Sequence, residues 1–100
     1  MKFDYIVVGG GSAGCVLANR LSTESHGSQQ SDSVLLLEAG GPGGQRASRV
    51  PAAFPQLFNS TADWAYRTEP QSQLNDRALY WPRGRMLGGS SSMNAMIYQR

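Results

Sequence analysis

A chain of 100 residues, 40% hydrophobic and 16% charged, has room for one small domain of ordinary globular composition. The net charge is +2 and the arginines are scattered from Arg20 to Arg100 without a basic run, so nothing marks nucleic acid or an acidic membrane surface as a partner. One cysteine (Cys15) and one histidine (His26) exclude an internal disulfide and a zinc centre built on such ligands. No apolar run approaches the roughly 20 residues of a membrane span, and the run after Met1 is stopped by glycines before it resembles a signal segment. The expected compartment is cytoplasmic.

Phe3 to Val8 is a short β-branched and aromatic run closed by three glycines, the pattern of a buried strand. Ser12 to Leu21 follows with Ala13, Val16, Leu17, Ala18 and Leu21 on helical spacing, so a helix with a small-residue face is predicted there. Thr23 to Ser33 is polar and reads as a surface loop, with His26 a solvated residue in it. Val34 to Leu37 is a second continuous apolar run, suited to a strand covered on both faces. Gly40 to Gly44 then breaks the chain. Strand, helix, strand with a long connection predicts a parallel βαβ unit, hence an α/β fold of partial Rossmann type.

The second half is less regular. Val50 to Phe58 carries two prolines and reads as loop enclosing one short helix. Trp64 to Thr68 reads as a short strand, with Trp64 and Trp81 expected to pack rather than to stack. Gly88 to Ser92 leads into Met93 to Tyr98, predicted to begin a helix with a serine N-cap.

Gly9, Gly11 and Gly14 form G-x-G-x-x-G between the first strand and the helix. The first allows the tight turn, the second lets backbone approach a pyrophosphate, and the third lets the helix lie close on the strand. The helix N-terminus offers amides and the positive end of its dipole to the phosphates. Glu38, 24 residues after Gly14, ends the second strand, placed for the hydroxyls of an adenosine ribose and against a 2′-phosphate. This motif alone leaves FAD and NAD equally open. Cys15 beside it is expected to be a small core residue, not a reactive thiol.

The second motif is Arg83 to Asn94, a glycine-serine loop offering backbone amides and hydroxyls to an anion or a planar polar ring. A plain capped helix after a turn is the alternative that local chemistry leaves open. Gly84 to Tyr98 resembles the first signature of the glucose-methanol-choline (GMC) oxidoreductases, and Asp4 to Gly41 resembles their N-terminal FAD-binding unit. Trp81-Pro82-Arg83-Gly84 with the Gly-Gly-Ser-Ser-Ser run is most similar to the choline dehydrogenases and related alcohol dehydrogenases of that family.

The resemblance implies FAD as cofactor. It implies that Gly9, Gly11, Ser12, Ala13 and Gly14 hold the pyrophosphate and that Glu38, followed by Ala39, meets the adenosine ribose. Gly88, Gly89, Ser90, Asn94, Ala95 and Met96 are implied on the pyrophosphate and isoalloxazine side, with Arg83 and Met86 as flavin neighbours. Some family members link a histidine just before this asparagine covalently to the flavin; Met93 stands there, which implies non-covalent FAD.

The implied reaction is hydride transfer from a small alcohol to flavin N5, the catalytic histidine lying near the C-terminus of a much longer chain. Residues 1–100 are therefore expected to form the N-terminal portion of the FAD-binding domain, with the substrate domain and catalytic residues outside them. Alone they are expected to bind FAD weakly and to oxidise no alcohol. The competing readings are a nucleotide-binding module without redox function or half of a split enzyme completed by a second chain, and, behind these, an NAD-binding half.

Overall fold

The structure, a computed structural model, describes residues 1–23, 31–41 and 46–99. Strand β1 (Tyr5–Val8) leads through the first glycine turn into helix α1 (Ser12–Ser22), and strand β2 (Val34–Leu37) returns parallel to β1. The register pairs Tyr5 with Val34 and Val8 with Leu37, and the Gly9 amide continues it by donating to the Leu37 carbonyl at 2.8 Å. The predicted βαβ unit is present.

Both strands are clipped at their start by one side chain. Asp4 Oδ2 accepts from the Ser33 amide (2.9 Å) and hydroxyl (2.6 Å), while the Asp4 amide donates to the Ser33 carbonyl at 3.0 Å. These bonds, with that from the Ser33 hydroxyl foremost, hold the Asp4 carboxyl below its ordinary value. Helix α1 ends where Ser22 and Thr23 both turn their hydroxyls onto the Asn19 carbonyl (3.2 and 2.6 Å), which competes with continued helix.

The strands are far less covered than their apolar sequences predict. Ile6 is 61% exposed and Val8 81%, and Val16 and Leu17 of α1 are open as well. Among the described residues a single α-helix packs on the two-stranded sheet and leaves much of it exposed, a poor arrangement for parallel strands. The expectation that both strands are buried is corrected accordingly.

The buried cluster lies instead in the second half. It comprises Leu57, Ala62, Met86 and Met93, with Ala47 and Phe58 packed against it. The short helix expected within Val50 to Phe58 is a 3₁₀ helix, Pro51–Leu57, and a further 3₁₀ helix, Arg46–Arg49, precedes it; Pro51 opens the former with a fixed φ and Pro55 inside it provides no amide to continue an α-helix. Strand β3 (Tyr66–Arg67) occupies part of the predicted 64–68 strand and pairs antiparallel with β4 (Tyr80–Trp81), which two residues of sequence do not announce.

The predicted helix at 93–98 is absent. A 3₁₀ turn spans Gly89–Ser92, entered through Gly88 at φ +91, and residues 94–99 have no regular structure. The reason is local. The Asn94 side-chain amide donates to the Ser91 carbonyl and its Oδ1 accepts from the Met96 amide at 2.7 Å, consuming backbone groups that a helix needs. Met96 sits at φ +54, outside the right-handed helical region. No serine side chain caps this turn. His26 and the 42–44 part of the glycine break lie outside the described residues. No described helix is long and apolar enough to cross a membrane.

Candidate cofactor site

The two glycine turns meet. The Gly88 amide donates to the Gly10 carbonyl at 2.7 Å, and Gly11 and Gly88 form a parallel bridge. The fit is close at Gly89, where an added Cβ would lie 3.0 Å from the Gly11 Cα. The Ser12 and Ser91 hydroxyls join the turns from outside at 2.5 Å. Residues nearly eighty positions apart thus share one short wall.

Each turn has its own local cause. Gly9 sits at φ +95, a conformation that side chains disfavour, and swings the chain out of β1. At Gly14 a Cβ would fall 1.8 Å from the Gly9 carbonyl oxygen, so only glycine lets α1 rise this close to the strand it leaves. Gly11 supplies the helix cap without a side-chain hydrogen bond, and no acidic residue occupies the first turn. The positive end of the helix dipole is therefore left for an external anion. Cys15 is half-buried and its thiol donates to the Gly10 carbonyl at 3.2 Å, which fits a packed structural residue.

Beside the junction opens a cavity of about 850 Å³, within the range of cofactor sites. Its wall includes Gly9, Gly11, Glu38 and Ala39 from the first half and Trp64, Tyr66, Arg83, Gly84, Gly89 and Ser90 from the second. A Cβ built on Gly11 meets nothing within 4 Å, so the space that glycine leaves is open to a ligand.

Glu38 has a second role that its motif position conceals. Its Oε2 accepts from the Gly10 amide (2.7 Å) and its Oε1 from the Gly40 amide (2.9 Å), binding the first turn to the end of β2. Each oxygen keeps a further lone pair for a ribose hydroxyl.

Seven of the residues predicted from sequence line this cavity: Gly9, Gly11, Glu38, Ala39, Arg83, Gly89 and Ser90. Ser12, Ala13, Gly14 and Gly88 build the turns behind it. Met86 is 1% exposed and belongs to the apolar core. Asn94 and Met96 line a small cleft against Arg49 and Phe54, and Ala95 lines another with Phe58 and Pro82.

Sequence reasoning passed over the aromatic wall. Trp64 and Tyr66 stack at 5.7 Å with 7° between their planes, and the Arg85 guanidinium lies 5.1 Å above Trp64. Trp64 stays 41% exposed and lines the cavity, where packing was expected. Trp81 is also exposed, with the Arg83 guanidinium 5.1 Å from its ring.

Such a site on a parallel βαβ unit defines a dinucleotide-binding α/β protein. The profile of the family described as "GMC oxidoreductase" matches residues 3–100, and the chain belongs to that family. It is 56% identical over 97 residues to an uncharacterized GMC-type oxidoreductase of Mycobacterium bovis, covering 97% of this chain and 17% of that protein. It is 52% identical to an "alcohol dehydrogenase [acceptor]" of Pseudomonas putida (98% of this chain, 17% of the relative) and 49% identical to the mitochondrial choline dehydrogenase of Homo sapiens (99% and 17%). Among solved structures it resembles the pyridoxine 4-oxidase of "Mesorbium loti" with a TM-score of 0.81 and 47% identity, over 99% of this chain and 18% of the other. An FAD-dependent oxidoreductase of Chaetomium thermophilum gives a TM-score of 0.76 at 33% identity, with 99% and 16% covered. The chain thus spans about a sixth of the length of the relatives it matches.

Proposed function

We propose that these residues are the FAD-binding part of an oxidoreductase acting on CH–OH groups, and that the cavity between the two glycine turns holds the FAD. The observation that carries this reading is the contact of the turns through Gly88 and Gly10, with open space beside Gly11. A nucleotide fold that bound only an adenosine diphosphate would have no use for a second glycine turn seated on the first. Family membership supports FAD over NAD.

The first-turn amides of α1, from Ser12, Ala13 and Gly14, face the pyrophosphate, with Gly9 and Gly11 giving it room. Glu38 and Ala39 take the adenosine ribose, Glu38 through the lone pairs left over from Gly10 and Gly40. Gly88, Gly89 and Ser90 close over the pyrophosphate from the other side. Arg83 stands on the cavity wall; Asn94, Ala95 and Met96 follow the second turn outside that wall and are assigned to the isoalloxazine side by the family resemblance, with Met86 behind them in the core. When bound, FAD supplies the acceptor for the hydride that a primary alcohol, choline-like or other, gives up as it becomes an aldehyde. These residues bind and orient that group; none of them is assigned the base.

Met93 is buried among Leu57, Ala62 and Met86, and its thioether offers no nucleophilic nitrogen. The flavin is therefore held without a covalent bond. Titration of the chain with FAD, followed by flavin fluorescence, tests the site. Saturable binding that is abolished in Gly11→Asp, with all flavin released by acid precipitation, is the expected outcome. Binding unaffected by Gly11→Asp would move the site elsewhere, and flavin retained in the precipitate would overturn the non-covalent reading.

A further inference from the structure

We infer that Asp63 is the positioning residue of the cofactor cavity, a carboxylate behind the wall that holds Trp64 and Arg83 on the ligand side. The inference rests on the FAD reading of the cavity. Asp63 is only 6% exposed and does not line the cavity itself. A carboxylate so buried needs a full set of donors. It has four. Oδ1 accepts from the amides of Ala65 and Arg83, both at 2.9 Å, and Oδ2 accepts from the Asn59 amide at 2.9 Å and from the Tyr80 hydroxyl.

Those donors come from two pieces of chain, the turn around Asp63 itself and residues 80–83. Asn59 and Ala65 stand at φ +53 and +49, conformations that non-glycine residues adopt at a cost, and Asp63 binds the amides of both. The turn stabilised in this way carries Trp64 to the cavity. The Arg83 amide marks the start of the second glycine segment, which is then zipped antiparallel onto residues 62–64. Trp64 donates to the Arg83 carbonyl at 2.9 Å, and Arg85 donates to the Ala62 carbonyl at 2.7 Å. From there the strip runs through buried Met86 to Gly88, which bonds Gly10. Asp63 therefore fixes one end of the strip whose other end closes the cofactor turns.

A purely structural acid and a positioning acid differ in what its neighbours do. Tyr80→Phe removes a donor to the same carboxylate but leaves the Arg83 amide bound. Asp63→Ala releases Arg83, Ala65 and Asn59 together. Asp63→Asn retains one oxygen for the Ala65 and Arg83 amides, with its NH₂ turned to the Tyr80 oxygen and the Asn59 amide left with that Tyr80 oxygen as its acceptor.

The experiment measures the dissociation constant for FAD by flavin fluorescence, at a temperature where circular dichroism shows each variant folded. Asp63→Ala is expected to weaken FAD about tenfold or more, as loss of supporting contacts commonly does. Tyr80→Phe is expected to lower the melting temperature with affinity within about twofold of wild type, and Asp63→Asn to recover most of the affinity lost in Asp63→Ala. If Asp63→Ala does not fold, Asp63→Asn and Tyr80→Phe carry the comparison: Asn must stay nearer wild type than a Gly88→Ala control that disturbs the turn itself. Equal affinity in wild type and Asp63→Ala, or equal losses in Asp63→Ala and Tyr80→Phe, overturns the inference while leaving the FAD reading intact. Absence of FAD binding to wild type sinks the FAD reading and this inference with it.

Discussion

The first forty residues and the last fifty solve opposite problems. The βαβ unit has regular strands and a regular helix, yet its apolar residues are open, with Ile6 and Val8 mostly exposed. The segment from Arg46 onward has only 3₁₀ turns and two-residue strands, yet it contains the buried cluster of Leu57, Ala62, Met86 and Met93. Regular secondary structure and a core are therefore separate achievements in this molecule. The regular half supplies backbone groups aimed at a nucleotide, and the irregular half supplies the packing that holds the second turn against the first.

Glycine contacts break that comparison most sharply. Gly14→Ala places a methyl carbon on the Gly9 carbonyl at 1.8 Å, and Gly84→Ala places one 2.3 Å from the Gly89 carbonyl, both against backbone that cannot step aside. Each is expected to cost about 3 kcal/mol, the upper range for overpacking. Hydrogen exchange separates them: Gly14→Ala should expose the β1 and β2 amides first, and Gly84→Ala those of Arg85 and Gly88. Loss of both sets together in either variant would show one cooperative unit.

A smaller effect comes from pH. Burial pushes the Asp63 carboxyl up, but the bonds from Tyr80 and from the amides of Ala65, Asn59 and Arg83 outweigh it and bring the value from 3.8 down to about 2. A value lowered on folding means that the stabilisation is complete above 3.8 and is lost as pH falls through about 2. Thermal melts from pH 5 to pH 2 should show this acid loss in the wild type and a flatter limb in Asp63→Asn. Asp4, also lowered through Ser33, acts with the same sign, so Asp4→Asn is the control that isolates the irregular half. An unchanged acid limb in Asp63→Asn would remove Asp63 as its source.

The mildest test concerns the seam. Ser12→Ala deletes the hydroxyl pair with Ser91 on an exposed edge and is expected to cost at most about 1 kcal/mol. A melting temperature lower by more than about 8 °C, beyond what about 1 kcal/mol gives in a domain of this size, would mean that the seam depends on that pair more than on Gly88 and Gly10.

Much of the site was legible because its requirements are local. A turn that needs φ +95 at Gly9, and a helix that must leave close to its strand at Gly14, demand glycine at fixed positions, and Glu38 must follow at the end of the next strand. The helix expected at 93–98 failed for an equally local reason, since Asn94 binds the Ser91 carbonyl and the Met96 amide in place of helical partners. Asp63 and the Trp64–Tyr66 stack were not legible, because the acid becomes a hub only when Tyr80 and Arg83, 17 and 20 residues away, join the local amides of Asn59 and Ala65 on it.

The sequence by itself determined the βαβ unit, the chemistry of both glycine turns and the family they belong to. Periodicity and glycine spacing act within a few residues and are written directly in the chain. The tertiary structure alone decided that the turns touch, which apolar residues form the core, and that a buried carboxylate supports the cavity wall. Those outcomes depend on contacts between residues up to eighty positions apart, whose free energies belong to the packed whole and to no segment of it.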